Sequence, residues 1–214
     1  MEKQKDLRKD MLHLNKTKLD EKGLTLVELL AVVILTGIVS ILVFSITTKA
    51  LENTRIISQE TMLRDEADII VSKFIKEMYS TKQEHIIRYK EEVIIDPISN
   101  KKSYKYSYLE VIENESKCQR DENGDYKIEG ECKLKDIGFK TVNGVTKIQI
   151  FNEQYTVSNS SIKVLAESKI NGTPNETSVY EIVLKLKFTH VRGNKETERI
   201  MSFKNEIQPI VNSK

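Results

Sequence analysis

Between Leu24 and Ile46 the chain runs for 23 residues with one charged side chain, Glu28, and four hydroxyls, Thr25, Thr36, Ser40 and Ser45. As a helix such a run extends about 35 Å, enough to cross a hydrocarbon core of about 30 Å. It contains no proline, and its one glycine, Gly37, is tolerated in membrane helices. A single transmembrane helix is therefore expected, leaving room in 214 residues for one further domain. Glu28 is the anomaly. A carboxylate five residues into an apolar run costs a few kcal/mol unless it finds a partner, so an acid placed there points to a role.

The flanks orient the helix. Lys3, Lys5, Arg8, Lys9, Lys16, Lys18 and Lys22 precede it, which places that end in the cytoplasm and the remainder outside. A secretory signal peptide carries its small-residue cut site after the apolar run, whereas here Gly23 stands before it. Residues 1–23 hold seven Lys/Arg and five Asp/Glu of the chain's 34 and 32, so residues 24–214 carry 27 of each. That balance leaves no bulk electrostatic reason for a nucleic-acid partner.

Past Ile46 the helical pattern continues and turns amphipathic. Ile56, Leu63, Ala67, Ile70, Phe74 and Met78 share one helical stripe, with Glu60, Arg64, Asp65, Lys73, Lys76 and Glu77 on the other faces. No Gly or Pro occurs between Val39 and Asp96, so one helix is expected from Leu24 to about Tyr79. From His85 the period shifts towards two. Strands are expected over 85–89, 92–96, 103–112, 133–142, 145–151, 154–157 and, more weakly, 161–166. Asn143-Gly144 is the tightest hairpin signal. Tyr180, Ile182, Leu184, Leu186 and Phe188 alternate with polar residues over 180–189, and Gly193-Asn194 turns the chain into a last strand over 197–207. A long helix followed by antiparallel sheet is an α+β fold. The expected organisation is a segment 1–23, a membrane half-helix 24–46, an amphipathic half-helix 47–80 and a β-rich domain 81–214.

Lys22-Gly23 followed by Leu24, Thr25, Leu26, Val27, Glu28, Leu29 and Leu30 resembles the processing signature of type IV prepilins and type II secretion pseudopilins. The resemblance implies that a prepilin peptidase cuts after Gly23, that the new terminus at Leu24 is N-methylated, and that Glu28 serves assembly with other pilin or pseudopilin subunits. It also implies the membrane assembly machinery as a partner, a cell-surface filament as the destination, and a pilus, secretion or competence apparatus as the setting. Residues 1–23 would then be a cytoplasmic leader. The chemistry agrees: cleavage frees an amine at Leu24, and a Glu28 buried in a neighbouring subunit needs such a cation. Gly37 matches a glycine common in that family's helix. Two positions depart from the pattern: Leu24 replaces the usual Phe, and Ser45 stands where many pilins carry a kinking Pro. A subunit of this size with a β-rich region reads as a minor pilin or pseudopilin. The alternative is a single-pass, membrane-anchored binding module or receptor that never polymerises.

Other chemistries find little purchase. His13, His85 and His190 are widely separated, and no HExxH, GxSxG or P-loop pattern occurs, so no catalytic residue, enzyme activity or cofactor is expected. Cys118 and Cys132 lack CxxC spacing, and no metal site is expected. In an oxidising compartment they would close a disulfide loop; in a cytosolic chain they would be free thiols, and the anchor favours the bridge. The loop holding Asp121, Asn123, Asp125, Glu129 and Glu131 suggests calcium, but Tyr126 and Cys132 occupy positions where an EF-hand needs Gly and Glu. Tyr104, Tyr106 and Tyr108 share one strand face with Lys102 at its edge. They could stack single-stranded DNA, a weakly supported partner, or pack their rings over the helix with the hydroxyls at the rim.

Overall fold

The computed structural model describes residues 25–151, 153–174, 179–193 and 195–210. The residues ahead of Thr25, including the expected leader and His13, lie outside them. The chain divides into two units at Asn53/Thr54. One helix, α1 (Leu26–Tyr79), runs through that boundary for 54 residues. Among the described residues eleven strands follow, and the pairings between them are antiparallel. The protein is α+β, with a long N-terminal helix, apolar in its first half, whose second half packs against a C-terminal antiparallel β domain. That is the architecture the pilin resemblance implies.

Residues 26–53 of α1 are exposed on every side. This segment is the one described helix stretch long and apolar enough to cross a membrane. Three of its hydroxyls are satisfied inside the helix: Thr36 Oγ1 donates to the Val32 carbonyl at 2.7 Å, Ser40 Oγ to Thr36 at 2.7 Å and Thr47 Oγ1 to Val43 at 2.8 Å. A hydroxyl bonded one turn back leaves no bare polar group for lipid to desolvate. With no proline and no bulge, nothing interrupts the ladder.

In the second unit the helix buries the expected stripe, Leu63, Ala67, Ile70, Phe74 and Met78, while Ile56 is half-buried. Each large aliphatic or aromatic side chain so buried contributes about 1.5–3 kcal/mol. Beyond Tyr79 the hydroxyls of Ser80 and Thr81 both donate to the Glu77 carbonyl at 2.8 Å, closing the last turn. The chain's far end meets this point, where Gln83 N donates to the Ile210 carbonyl at 2.9 Å and Ile210 N to Thr81 at 3.0 Å.

The first sheet has the order β1-β2-β5-β6-β7, built from β1 (Ile86–Ile95), β2 (Lys102–Ile112), β5 (Leu134–Val142), β6 (Val145–Phe151) and β7 (Glu153–Tyr155). Residues 85–96, read from sequence as two strands, form one strand with register shifts at Ile86/Arg88 and Glu92/Val93. The second sheet centres on β10 (Tyr180–Arg192), flanked by β11 (Lys195–Ile207) on one side and by β8 (Ile162–Val164) and β9 (Lys169–Asn171) on the other. Sequence alone did not separate two sheets, and β9 went unread because three residues are too few to establish a period. Two more short strands, β3 (Gln119–Arg120) and β4 (Tyr126–Lys127), form a ribbon inside the loop between β2 and β5.

Helix and both sheets contribute to one core, with the Phe74 ring tilted against Phe139 at 5.5 Å between ring centres. Ser107 stitches the sheets together, its Oγ accepting from Ile170 N at 3.0 Å and donating to the Ile170 carbonyl at 3.1 Å. Asn143 and Gly144 turn β5 into β6 with φ of 52° and 77°, the left-handed pair that a two-residue hairpin turn requires.

Candidate functional site

Gly23 and Leu24 lie outside the described residues. Glu28, the acid singled out from sequence, sits in the first turn of α1 and is fully exposed within the chain. Its carboxylate accepts from Thr25 N at 2.9 Å and Thr25 Oγ1 at 3.0 Å, and Thr25 Oγ1 in turn accepts from Glu28 N at 3.3 Å. This reciprocal pair is a capping box, which supplies acceptors to helix N–H groups that have no carbonyl partner. The Thr-x-x-Glu spacing that signals it was legible in the sequence, but Glu28 was read there as an acid awaiting a cation. Locally it is also a cap. Both roles are compatible, because a carboxylate has lone pairs to spare.

The second cluster forms where the loop between β2 and β5 folds back on the end of the helix. Cys118 and Cys132 are joined as a disulfide, their Cα atoms 4.6 Å apart. The loop thus closed places Glu115, Arg120 and Tyr126 against Lys82, Glu84 and His85. Glu115 pairs with Lys82 at 3.1 Å and lies 3.1 Å from His85 Nε2, and it accepts from the Tyr126 hydroxyl at 2.9 Å. Arg120 pairs with Glu84 at 3.0 Å and lays its guanidinium over the Tyr126 ring at 4.0 Å. Lys82 first and Tyr126 second hold the Glu115 carboxyl down at about 2. Desolvation, with the Glu115 bond next, pushes the Tyr126 hydroxyl up to about 12. Among the described residues Glu84, His85 and Glu115 are the one group whose ligand atoms converge closely enough for a metal ion. Both carboxylates already hold a cation of the chain itself, so an incoming metal would face Lys82 and Arg120. The geometry is that of an ion-pair network binding loop to domain. No spacing rule announces it, since its members come together only when the disulfide loop docks.

Two acids of that loop are held within it. Asp121 Oδ1 accepts from Asn123 N and Asp125 N, each at 2.9 Å, which fixes the β3–β4 hairpin. Glu131 pairs with Lys117 at 3.7 Å. His190 lies on β10, distant in sequence from the His85 cluster and outside it.

The tyrosine strand corrects one expectation. Ser107, Leu109 and Val111 of β2 are buried in the core, so their alternates Tyr106 and Tyr108 lie on the opposite face rather than over the helix, while the register shift at Glu92/Val93 breaks the alternation before Tyr104, which therefore does not share their face. Tyr106 and Tyr108 stand 5.6 Å apart, Lys140 sits 4.4 Å from the Tyr108 ring and Lys169 5.6 Å from the Tyr104 ring. Opposite Tyr108 is Gly138, with φ of 148°, where an added Cβ would lie 2.4 Å from the Ser107 carbonyl and 2.7 Å from Tyr108 Cβ. Glycine is what lets the two strands close beneath the ring. Three alternating aromatics cannot disclose which face of a strand is buried; that depends on which neighbouring residues are more apolar.

Glu66 is the polar residue that sequence reading missed. It lies on the buried side of α1, accepting from the Tyr155 hydroxyl at 2.8 Å and Ser158 N at 3.3 Å. It ties the segment after β7 to the helix. Its position one residue before Ala67 was the available signal.

No known protein family, curated protein or solved structure matches this chain.

Proposed function

We propose that the chain is a structural subunit of the pilin class, a minor pilin or pseudopilin. In this reading it is made as a membrane precursor, cut between Gly23 and Leu24, methylated at Leu24 and assembled through its N-terminal helix. A non-catalytic role is part of the proposal. The observation that carries it is a Lys-Gly junction leading into one uninterrupted helix whose single intramembrane charge is Glu28. A helix that only anchors has no need of that acid, and an intramembrane carboxylate is costly enough to mark a function. The continuous passage of α1 from an uncovered apolar segment into the spine of a β domain supports the reading further, because one continuous element would then serve both membrane storage and polymer core.

Processing is the decisive test. Co-expressed with a prepilin peptidase, the full chain should lose the 23 residues before Leu24 by intact mass, with a further methyl group on the new terminus. Gly23→Leu should leave it uncut. An uncut parent chain under those conditions overturns the assignment and favours a simple membrane-anchored module.

A further inference from the structure

The β1–β2 hairpin outruns the sheet. Pairing between β2 and β5 ends at Tyr106↔Lys140, whereas β1 and β2 stay paired out to Ile95↔Lys102. The protruding ribbon carries Val93, Ile94 and Ile95 in succession, and at its apex Ile98 is 95% exposed. Consecutive residues of a strand point to opposite faces, so both faces of this ribbon are apolar. The turn is fixed: Asp96 Oδ1 accepts from Ile98 N at 2.8 Å, Asp96 Oδ2 from Ser99 Oγ at 2.8 Å, and Asn100 N donates to the Asp96 carbonyl at 2.9 Å. A rigid tip displaying four large aliphatics loses little conformational entropy on docking. β1 is also an edge strand, with its outer backbone groups unpaired by any described strand.

The same domain carries a matching feature. β7 pairs with Ile148–Ile150 of β6 and stops short of Val145–Lys147. β8 pairs with β10 alone, leaving its outer edge open among the described residues. Between these two incomplete edges lies a cleft of about 390 Å³ whose apolar wall includes Val145, Val157, Ile162 and Val164. Lys147 and Lys163 stand at its rim.

We propose that the hairpin tip Val93–Ile98 of one copy seats in the β6/β8 cleft of the next. The occupant is a second copy of this chain because it supplies both halves: an aliphatic strand edge and an aliphatic slot with two free strand edges. Tip and cleft are different surfaces of the chain, so a contact between them that does not close on itself repeats from copy to copy. A lipid surface fits less well, since Lys101 beside the tip is already paired with Glu167 and Lys105 with Glu92. The inference rests on the reading of the chain as a filament subunit and sharpens it: a subunit that repeats along the polymer needs this contact, and one that occurs singly does not.

The test places photoreactive benzoylphenylalanine at position 98 of the full-length chain, in cells that also make a differently tagged copy and a prepilin peptidase. Irradiation should join the two copies, with the cross-linked peptide mapping to 144–147 or 154–164 of the tagged one. Ser160→Trp in the tagged copy, which fills the cleft from an exposed position, should cut the yield about tenfold, a loss of about 1.4 kcal/mol in contact strength. Cross-links to lipid, to another protein or to a different face of the copy overturn the contact, as does their absence. The mass of the chain in the same sample reports cleavage. A cut chain without the cross-link overturns this contact alone, and an uncut chain overturns the proposed processing whatever the cross-link shows.

Discussion

The two halves of α1 share a backbone and differ in everything that stabilises it. Residues 26–53 present Leu, Ile, Val and Phe around the whole circumference and bury none of them in the chain. The half after Thr54 buries one stripe under two sheets and turns Arg64, Asp65, Lys73 and Lys76 outward. Apolar side chains all round suit a helix whose solvent is lipid, where the internal backbone ladder already satisfies every polar group. A striped helix is held by tertiary burial instead. The difference teaches that identical secondary structure reports nothing about where its stability resides, and substitutions on the two halves should act in different places.

The largest expected effect falls on the first half. Glu28→Val should leave membrane insertion intact, since removing an acid makes the segment more compatible with lipid, yet abolish incorporation into filaments. Fractionation and filament shearing measure the two separately, and normal incorporation would show the acid to be a helix cap alone.

In the second half Phe74→Ala should cost about 3–5 kcal/mol by emptying the core position against Phe139. The same change at Phe44, which is exposed, should leave thermal unfolding of the β domain unmoved. Melting both variants as full chains in detergent checks this; equal losses would erase the distinction between the halves.

Next comes the loop docked at the helix end. Replacing both Cys118 and Cys132 with Ser opens a loop with a sequence separation of 14, worth about 3 kcal/mol in the chain-entropy account. The melting temperature should fall by several degrees, with the first half of α1 unaffected by far-UV signal.

Glu66→Ala strands the Tyr155 hydroxyl and Ser158 N–H and should cost about 1–3 kcal/mol. Glu66→Gln keeps a carbonyl acceptor and should lose less. Indistinguishable melts for the two would mean that the carboxylate's hydrogen bonds contribute nothing.

The smallest effect is electrostatic. Glu115 has a carboxyl held at about 2 in the folded chain against 4.5 ordinarily. Its pairing therefore stabilises the fold fully above about pH 4.5, and that contribution fades as pH falls towards 2. Glu115→Gln should flatten the acid limb of stability in this window. The difference should shrink further in high salt, because the group is exposed to screening.

How legible the protein was in its sequence varied with the range of the physics involved. Helix extent, the buried stripe and the alternation on β10 depend on period alone, and the Asn143-Gly144 turn on the φ values two adjacent residues can adopt. The Glu28 signal likewise needed only its distance from Thr25 and from Gly23.

What the sequence by itself determined was therefore local: a membrane-length helix, its amphipathic continuation, and a train of antiparallel strands. Only the tertiary structure decided the rest. The division into two sheets, the outward facing of Tyr106 and Tyr108, the acceptance of Glu66 into the core and the gathering of Lys82, His85, Glu115, Arg120 and Tyr126 all involve partners far apart in the chain. A strand's period says that its two faces differ, but which face is buried follows from the surface it meets, and no stretch of residues carries its neighbour's surface within itself.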